Sequence, residues 1–390
     1  MHKYLILSLF WVFFSYCTEE QTIDDSLQTN SDVGYQTLHD GFADPPDEAK
    51  IKAYWWWLNS NVTKESIRKD LTQMKEKGFG GAVIFDAGSS NYSVAKKTPA
   101  GPVFLSEDWQ ELYAHTVDVA DSLGLELSIN AQSGWNPGAP SVTPDLAMKE
   151  LVWTEAEVKG PGERTIKLQK PDTNLYYEGV MVQAIRKPKE GERKLGNEAI
   201  KYWDKKSFNE QLGWKGIYPL HQVRETYTDK NIDHALQEDD IIDLTSRFNN
   251  GRLTWNVPKG EWVIIRYGMT CTGARTSTTS EGWGGLSYDH LNPEAFEVFE
   301  EDVLEPLVST AKSSGNSLKY LHTDSWEMGL ATWTNHFEEG FQKFRGYDIS
   351  QYMPVLTGRV VGSRDQTNRF LSDYRKTVGD CIAANHYKLF

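Results

Sequence analysis

The chain has 390 residues, of which 39% are hydrophobic and 12% are aromatic, so it can bury a large core and is not a disordered protein. Its formal net charge of -14 argues against nucleic acid or an anionic membrane surface as a partner, because phosphates would be repelled across most of its surface. A neutral or cationic ligand is favoured instead.

The first residues have the pattern of a targeting segment. Lys3 precedes an apolar run, Tyr4–Tyr16, that is too short to span a bilayer but suits a signal peptide. Cys17 follows it, as in the lipobox of a bacterial lipoprotein, although Tyr16 stands where that motif usually has a small residue. We expect a lipoprotein-type signal peptide over 1–17, with Cys17 lipidated, and export to the periplasm or outer membrane of a Gram-negative bacterium. Residues 18–48 are rich in Asp, Ser, Thr, Gln and Pro, which predicts a flexible linker.

Strands and helices alternate in the next region. The apolar run at 53–60 predicts a strand, and Thr63 can cap the helix that follows. The run at 80–88 predicts the next buried strand, which ends in Asp86. This order predicts parallel pairing, because the helix returns the chain to the same end of the sheet.

The same pattern then repeats up to about residue 148. Ser106 can cap a helix, and the run at 125–135 predicts a third strand. That strand finishes in polar groups that include Asn130, and Trp135 lies just beyond it. Residues 49–148 are therefore predicted to be one α/β region.

Residues 149–268 have a different character. Short alternating segments are separated by turns, with no convincing amphipathic helix between them, which predicts an inserted antiparallel β domain. The segment at 262–270 could either close this domain or form the next strand of the α/β sheet, and the first interpretation is slightly favoured.

The α/β pattern resumes in residues 269–390. Asn292, Pro293 and Glu294 are a strong helix start. A buried strand follows in the segment Leu318–Glu327, which ends in two acids. Fewer parallel strands are visible than the eight of a closed barrel, so either the sheet is open or the chain is the N-terminal piece of a longer protein.

Sequence motifs exclude several other chemistries. The mature part keeps Cys271 and Cys381, which are far apart and predicted to be unpaired thiols, although export would permit a disulfide. No HExxH, CxxC or GxSxG element occurs, which argues against a zinc protease, a dithiol redox protein and a serine hydrolase.

Aromatic and acidic residues favour carbohydrate chemistry. The chain has 14 tryptophans and 18 tyrosines, and aromatic faces stack on the C–H faces of sugar rings. Glycosidases usually need two carboxyl groups, one of which protonates the leaving oxygen. Glu327 is the candidate acid, because the neighbouring Trp326 would hinder hydration of its carboxylate and raise its pKa. Asp324 could bind sugar hydroxyls or a cation, and a solvated acid at a strand end is an equally favoured interpretation.

Further polar groups are expected at the same rim of the sheet. They are Asn59, Asp86, Asn130, Trp135, Glu281, Asp289 and His322. Our candidates for substrate binding are Asp324, Asp86, Asn130, Trp135 and Asp289, against the alternative that strand ends are polar in any α/β protein. The Gly-rich stretch at 281–286 predicts a turn that lets backbone approach a ligand.

Several segments together resemble the N-terminal half of glycoside hydrolase family 106, the α-L-rhamnosidases. The segments are 53–86, 253–268, 281–295, 321–329 and 344–363. The resemblance implies a (β/α)8 barrel of the TIM type with β insertions, of which residues 49–148 are the first part and 269–390 the truncated continuation. It also implies inverting hydrolysis of terminal α-L-rhamnose from plant or bacterial polysaccharides, and a calcium ion near the active site whose ligands it does not place.

The resemblance bears on one catalytic residue in this chain. The glutamate of the family's Asp-Ser-aromatic-Glu strand end corresponds to Glu327, as the acid. The partner glutamate belongs to a later barrel strand, so we expect this fragment alone to be inactive.

Two hypotheses therefore stand. The first is an exported rhamnosidase, of which this chain is an N-terminal fragment. The second is a non-catalytic surface lipoprotein that binds glycans. In both, the partner is a rhamnose-containing oligosaccharide or polysaccharide, contact with the membrane is made only through the lipid anchor, and the oligomeric state is left open.

Overall fold

The computed structural model describes residues 34–88, 98–188, 234–324, 328–329 and 331–390. The predicted signal peptide with Cys17 and the catalytic candidate Glu327 lie outside these residues. The chain divides into two compact units, Met1–Ala49 and Lys50–Phe390. In the described part of the first unit, helix α1 (Tyr35–Ala43) buries none of its side chains and is followed by a 3-10 turn at Asp47–Ala49.

The second unit contains the elements around the candidate site. Its helices in the described residues are α2 (Lys64–Glu76), α3 (Glu107–Leu123), α4 (Pro293–Phe299), α5 (Glu305–Ser314), α6 (Phe337–Arg345), α7 (Met353–Leu356) and α8 (Arg364–Ile382). Its strands there are β1 (Lys52–Leu58), β2 (Gly81–Ala87), β3 (Glu126–Asn130), β4 (Gly138–Ala139), β5 (Lys149–Lys167), β6 (Glu178–Arg186), β7 (Ala235–Leu236), β8 (Ile241–Asp243), β9 (Phe248–Asn249), β10 (Arg252–Cys271), β11 (Leu286–Ser287), β12 (Leu318–His322) and β13 (Val360–Val361).

Four parallel strands form one sheet in the order β1-β2-β3-β12. Helix α2 begins at a capping box formed by Thr63 and Ser66, and α3 begins at Ser106 and ends at Gly124 in the left-handed conformation. A π-helical segment, Glu300–Leu304, joins α4 to α5 before the chain enters β12. The α/β class is confirmed, and within the described residues this sheet is open.

The two faces of the parallel sheet differ in burial. Trp55 and Trp57 pack with Trp109 and Tyr113 of α3 in a buried cluster. Trp56 lies on the opposite face with 42% of its surface exposed, because successive side chains of a strand point to opposite sides. One face is therefore core, and the other presents aromatic side chains to solvent.

A second, antiparallel sheet follows the order β5-β10-β6-β8. The segment at 262–270 belongs to β10 and pairs there with β5 and β6, as the favoured interpretation expected. One face of this sheet packs against α6, α7 and α8 through a large apolar cluster, and the other holds a smaller cluster around Trp255 and Trp262.

Two further observations concern the whole described chain. Cys271 and Cys381 are both free and buried, which confirms the prediction of unpaired thiols, and burial raises the pKa of each to about 11. Among the helices of the described residues, none is both long and apolar enough to cross a membrane.

Candidate functional site

The carboxyl ends of the four parallel strands bring several of the predicted residues to one rim. Asn59 follows β1, Asp86 is near the end of β2, Asn130 ends β3, and Asp324 lies two residues beyond β12. The alternation of strands and helices requires this convergence, because every parallel strand ends on the same side of the sheet. Their surroundings differ widely.

Asp86 is a buried carboxylate surrounded by donors, with only 1% of its surface exposed. The hydroxyls of Ser60 and Ser133 donate hydrogen bonds to it, and the indole Nε1 of Trp109 donates a third over 3.3 Å. Burial raises the pKa of Asp86, and these donors oppose the rise because they favour the ionised form. The carboxylate thus organises three different elements beneath the rim.

A segment that we call the roof, residues 275–285, lies over these strand ends. The amide of Gly88 donates to the Thr278 carbonyl over 2.7 Å, and that of Trp135 donates to the Ser277 carbonyl over 3.2 Å. The amide of Glu281 donates to Asn59 Oδ1 over 2.7 Å. The predicted Gly-rich turn is part of this roof.

The backbone is strained where the roof meets the strand ends. Asn59, Ser60 and Thr278 have φ angles of 56°, 53° and 55°, which place them in the left-handed region. Such a conformation is an outlier for a β-branched residue such as Thr278, and it is maintained only where surrounding contacts demand it. A Cβ at Gly134, whose φ is 78°, would lie 2.0 Å from the Ser277 carbonyl oxygen, so the close approach requires glycine there.

Asn130 shapes the loop that carries Trp135. Its side chain is fully buried, and Nδ2 donates to the carbonyls of Gln132 and Gly134 over 3.0 and 2.8 Å. The loop folds back across the end of β3 and leaves Trp135 partly exposed.

Aromatic side chains form a wall on the open face of the sheet, next to the rim. This aromatic wall consists of Tyr54, Trp56, Phe85, Trp135 and His322. Trp135 stands edge to face against Trp56 with ring centroids 5.3 Å apart, and Phe85 lies 5.2 Å from the ring of His322. Phe85 itself is buried, whereas Tyr54 and Trp56 are exposed and Trp135 is partly exposed. Exposed flat apolar faces are what sugar C–H groups contact.

The acid-bearing strand end adjoins this wall. His322 Nε2 donates to Asp324 Oδ2 over 3.2 Å, with 34% and 17% of the two side chains exposed. Glu281 of the roof is exposed, and its backbone amide binds Asn59. The rim therefore offers imidazole and carboxylate groups beside apolar rings, which is the mixture a sugar-binding cleft needs.

Asp289 occupies a different, fully buried environment. Its Oδ2 accepts hydrogen bonds from Lys149 Nζ over 3.3 Å and Thr334 Oγ1 over 2.7 Å, and its Oδ1 accepts one from the Leu291 amide over 3.1 Å. Burial raises the pKa of Asp289, with the Lys149 charge opposing the rise. With no exposed surface on either charged side chain, this pair joins the start of β5 to the chain around 289 and 334.

The predicted substrate-binding residues thus fall into two groups. Asp86, Asn130 and Asp289 lie beneath the surface, whereas Trp135 and Asp324 keep partial exposure. Direct contact of any of them with a sugar stays a prediction. Within the part of the chain that the structure describes, no cluster of three or more His, Cys, Asp or Glu side chains could hold a metal ion, and the expected calcium site stays a prediction with no ligand assigned.

Sequence reasoning missed several groups at the site. Ser60, Ser133 and Trp109 were not identified as partners of Asp86, nor were Trp56 and Phe85 as parts of the wall. The two aromatic residues had a usable signal, since each stands two positions before the end of its strand and register places both on one face. The serines had none, because their role depends on contacts between distant segments.

Comparisons with known proteins agree with this geometry. The profile of a protein family described as alpha-L-rhamnosidase matches residues 43–390. A protein of Formosa agariphila named putative beta-glucuronidase is 36% identical over 358 residues, which are 90% of this chain and 29% of that protein. The structure of a rhamnosidase from Novosphingobium sp. PP1Y is similar with a TM-score of 0.73 and 23% sequence identity, over 90% of this chain and 45% of the other. At that identity the structural likeness shows the fold alone, and in both cases the chain spans less than half of its relative.

Proposed function

The chain belongs to glycoside hydrolase family 106, the α-L-rhamnosidases, and we propose that the protein removes terminal α-L-rhamnose from plant or bacterial polysaccharides. The observation that carries this proposal is the family match over residues 43–390. The aromatic wall beside an acid-bearing strand end supports it, because that arrangement suits a neutral sugar with an apolar face.

We propose that the parallel sheet is one half of a (β/α)8 barrel. Helices cover one face, aromatic side chains occupy the other, and β1 and β12 stand at the two edges of the described sheet. The remaining strands would belong to further chain, since this chain covers 45% of the similar rhamnosidase structure and 29% of the Formosa protein. The 390 residues would then be an N-terminal part that is inactive alone.

The proposed mechanism is inverting acid/base hydrolysis. Glu327, three residues after Asp324, donates its proton to the glycosidic oxygen while the bond from that oxygen to the anomeric carbon breaks. A second carboxylate, supplied by the further chain, takes a proton from the water that attacks the opposite face of the sugar. His322 and Asp324 are partly exposed and can hydrogen-bond sugar hydroxyls. A calcium ion near this site stays part of the proposal, with its ligands unassigned and no step assigned to it.

Replacement of Glu327 by Gln in the full-length protein tests this mechanism. An amide cannot protonate the leaving oxygen, so we expect turnover of an aryl α-L-rhamnoside with a poor leaving group to fall by about 10²–10⁴-fold. A substrate whose phenol is acidic enough to leave without a proton is the control, and its turnover should fall far less. Near-normal rates on the poor leaving group would reject Glu327 as the acid.

A second candidate activity is hydrolysis of a glucuronide. It is favoured by the printed name of the Formosa relative and by Arg275, an exposed cation of the roof that could pair with a uronate carboxylate. Parallel assays of the full-length protein on aryl α-L-rhamnoside and aryl β-glucuronide distinguish the two activities. Turnover of the glucuronide alone would replace the first proposal.

We also propose export and attachment to the membrane through a lipid on Cys17. The apolar run before that cysteine and the substrate class support this location. A non-catalytic surface lipoprotein would share this location. Rhamnoside binding by the full-length protein with no sugar released over a long incubation would favour that alternative.

A further inference from the structure

Two buried serines donate hydrogen bonds to the same carboxylate from opposite sides. Ser60 reaches Asp86 Oδ2 from the turn after β1, and Ser133 reaches Oδ1 from the loop after β3. Neither serine has any exposed surface. They are therefore chemically matched partners of one charge.

The two serines differ in what else they hold. Ser133 Oγ also accepts a hydrogen bond from the backbone amide of Ser280, in the roof, over 2.9 Å. The backbone of Ser60 bonds within its own turn, to Trp57 and Val62. Ser133 thus connects the Asp86 carboxylate to a backbone amide of the roof, and within the described residues Ser60 makes no such bond.

This connection has a defined polarity. A serine hydroxyl that donates its proton to a carboxylate still has oxygen lone pairs that can accept a hydrogen bond. Asp86 therefore orients the Ser133 hydroxyl so that its oxygen accepts from the Ser280 amide. The chain of bonds runs from the amide of Ser280 through the hydroxyl of Ser133 to an anionic oxygen, and each bond polarises the next. The backbone of Thr278, two residues from Ser280, has the strained left-handed conformation. Hydrogen bonds that fix the neighbouring chain can maintain such strain.

The roof borders the aromatic wall, because the carbonyl of Ser277 accepts from the amide of Trp135. Two roof hydroxyls, those of Thr276 and Thr279, bond to backbone groups of the roof itself. Arg275 is exposed and Thr278 is partly exposed. Polar side chains next to an aromatic face can bind the hydroxyls of a sugar whose C–H face is stacked there.

We propose that Ser133 is a positioning residue, which acts through the Ser280 amide to fix the roof as a preformed side of the glycan pocket. The part that concerns the glycan rests on the proposed function, whereas the part that concerns the roof does not. Asp86, with 1% of its surface exposed, serves as the buried anchor of this arrangement. The roof contributes to recognition of the sugar and not to proton transfer, so its loosening raises KM more than it lowers kcat.

The variants Ser133→Ala and Ser60→Ala of the full-length protein test this inference. Each removes one buried hydroxyl donor from Asp86, so both should lose thermal stability, and Ser133→Ala should lose more because it also gives up the bond from the Ser280 amide. In Ser133→Ala alone, hydrogen exchange of the roof amides, above all that of Ser280, should accelerate about tenfold, as expected for the loss of one hydrogen bond. The KM for an aryl rhamnoside should rise about tenfold with little change in kcat, whereas Ser60→Ala should change roof exchange and KM far less.

A Ser133→Thr variant keeps the hydroxyl and should restore the slow exchange of the Ser280 amide. It keeps the inference testable if Ser133→Ala unfolds. Equal roof exchange in Ser133→Ala and Ser60→Ala, or a normal KM in Ser133→Ala, would overturn the positioning role. A wild-type protein that neither binds nor hydrolyses rhamnosides would overturn the proposed function and the glycan part of this inference, while the exchange comparison would still decide whether Ser133 holds the roof.

Discussion

Two buried histidines whose rings lie close together make the stability of the fold depend on pH. His290 and His386 are almost fully buried, with ring centroids 4.7 Å apart, and the hydroxyl of Tyr288 lies 2.5 Å from His386 Nδ1. Burial lowers the pKa of His386 to about 4 and lowers that of His290 well below its ordinary value. The folded protein therefore holds both imidazoles neutral at a pH where the unfolded chain protonates them.

The stability of the folded state should fall on acidification below about pH 6.5. Between that pH and about pH 4, the unfolded chain binds a proton at His386 and the folded chain does not, which favours unfolding. By pH 4.5 the loss from this residue is about 2–3 kcal/mol of unfolding free energy. Denaturant titrations at pH 7.0, 5.5 and 4.5 measure it.

The variant His386→Gln tests the assignment to this residue. It should lessen the pH dependence of the unfolding free energy by the share of His386, while the share of His290 remains. A pH slope in His386→Gln that equals that of the wild type would contradict the assignment.

At Asp86, sequence reasoning could predict the position but not the environment. A strand pattern places the carboxylate at the carboxyl end of β2, because burial and alternation are local properties. Its burial depends on the roof, which joins it from residues about 190 positions later in the chain. No local pattern encodes such a contact, and the same holds for the pairing of Asp289 with Lys149 across 140 positions.

Strand β1 shows how one element supplies both core and site. Its three consecutive tryptophans alternate between the two faces, with Trp57 fully buried against α3 and Trp56 in the aromatic wall. The sequence could not predict which tryptophan faces the core, because both sides of the strand are apolar and the hydrophobic periodicity does not tell one face from the other. The register with β2 and the position of α3 decide it.

Alanine at the two positions should separate stability from binding. In the full-length protein, Trp57→Ala should lower the unfolding free energy by about 3–5 kcal/mol, since it leaves a cavity in the core. Trp56→Ala should cost about 1–2 kcal/mol and raise the KM for a rhamnoside about tenfold, because a stacking face is lost. Chemical denaturation and initial rates measure the two effects.

Each variant is the control for the other, because both replace a tryptophan by alanine and so remove the same side-chain volume. The assignment of Trp56 to the aromatic wall would be wrong if its alanine variant kept a wild-type KM while Trp57→Ala, still folded, lost rhamnoside affinity. Such a result would place the sugar against the other face of the sheet.

In the whole molecule, a parallel sheet and an antiparallel sheet share one chain. Strand β10 of the antiparallel sheet ends at Cys271, four residues before the roof begins. The chain that leaves this strand therefore lies over the rim of the parallel sheet. The sequence predicted the change from α/β to β-rich structure, because the period of hydrophobic residues changes there. It could not predict that the chain leaving the β-rich region would cover the strand ends of the parallel sheet.

We propose that the complete protein is an inverting α-L-rhamnosidase. The most direct test follows an α-L-rhamnoside by NMR in the presence of the full-length protein, before the released sugar mutarotates. We predict that β-L-rhamnose appears first, as inversion at the anomeric carbon requires. Release of α-L-rhamnose first, or no release of rhamnose at all, would contradict this claim.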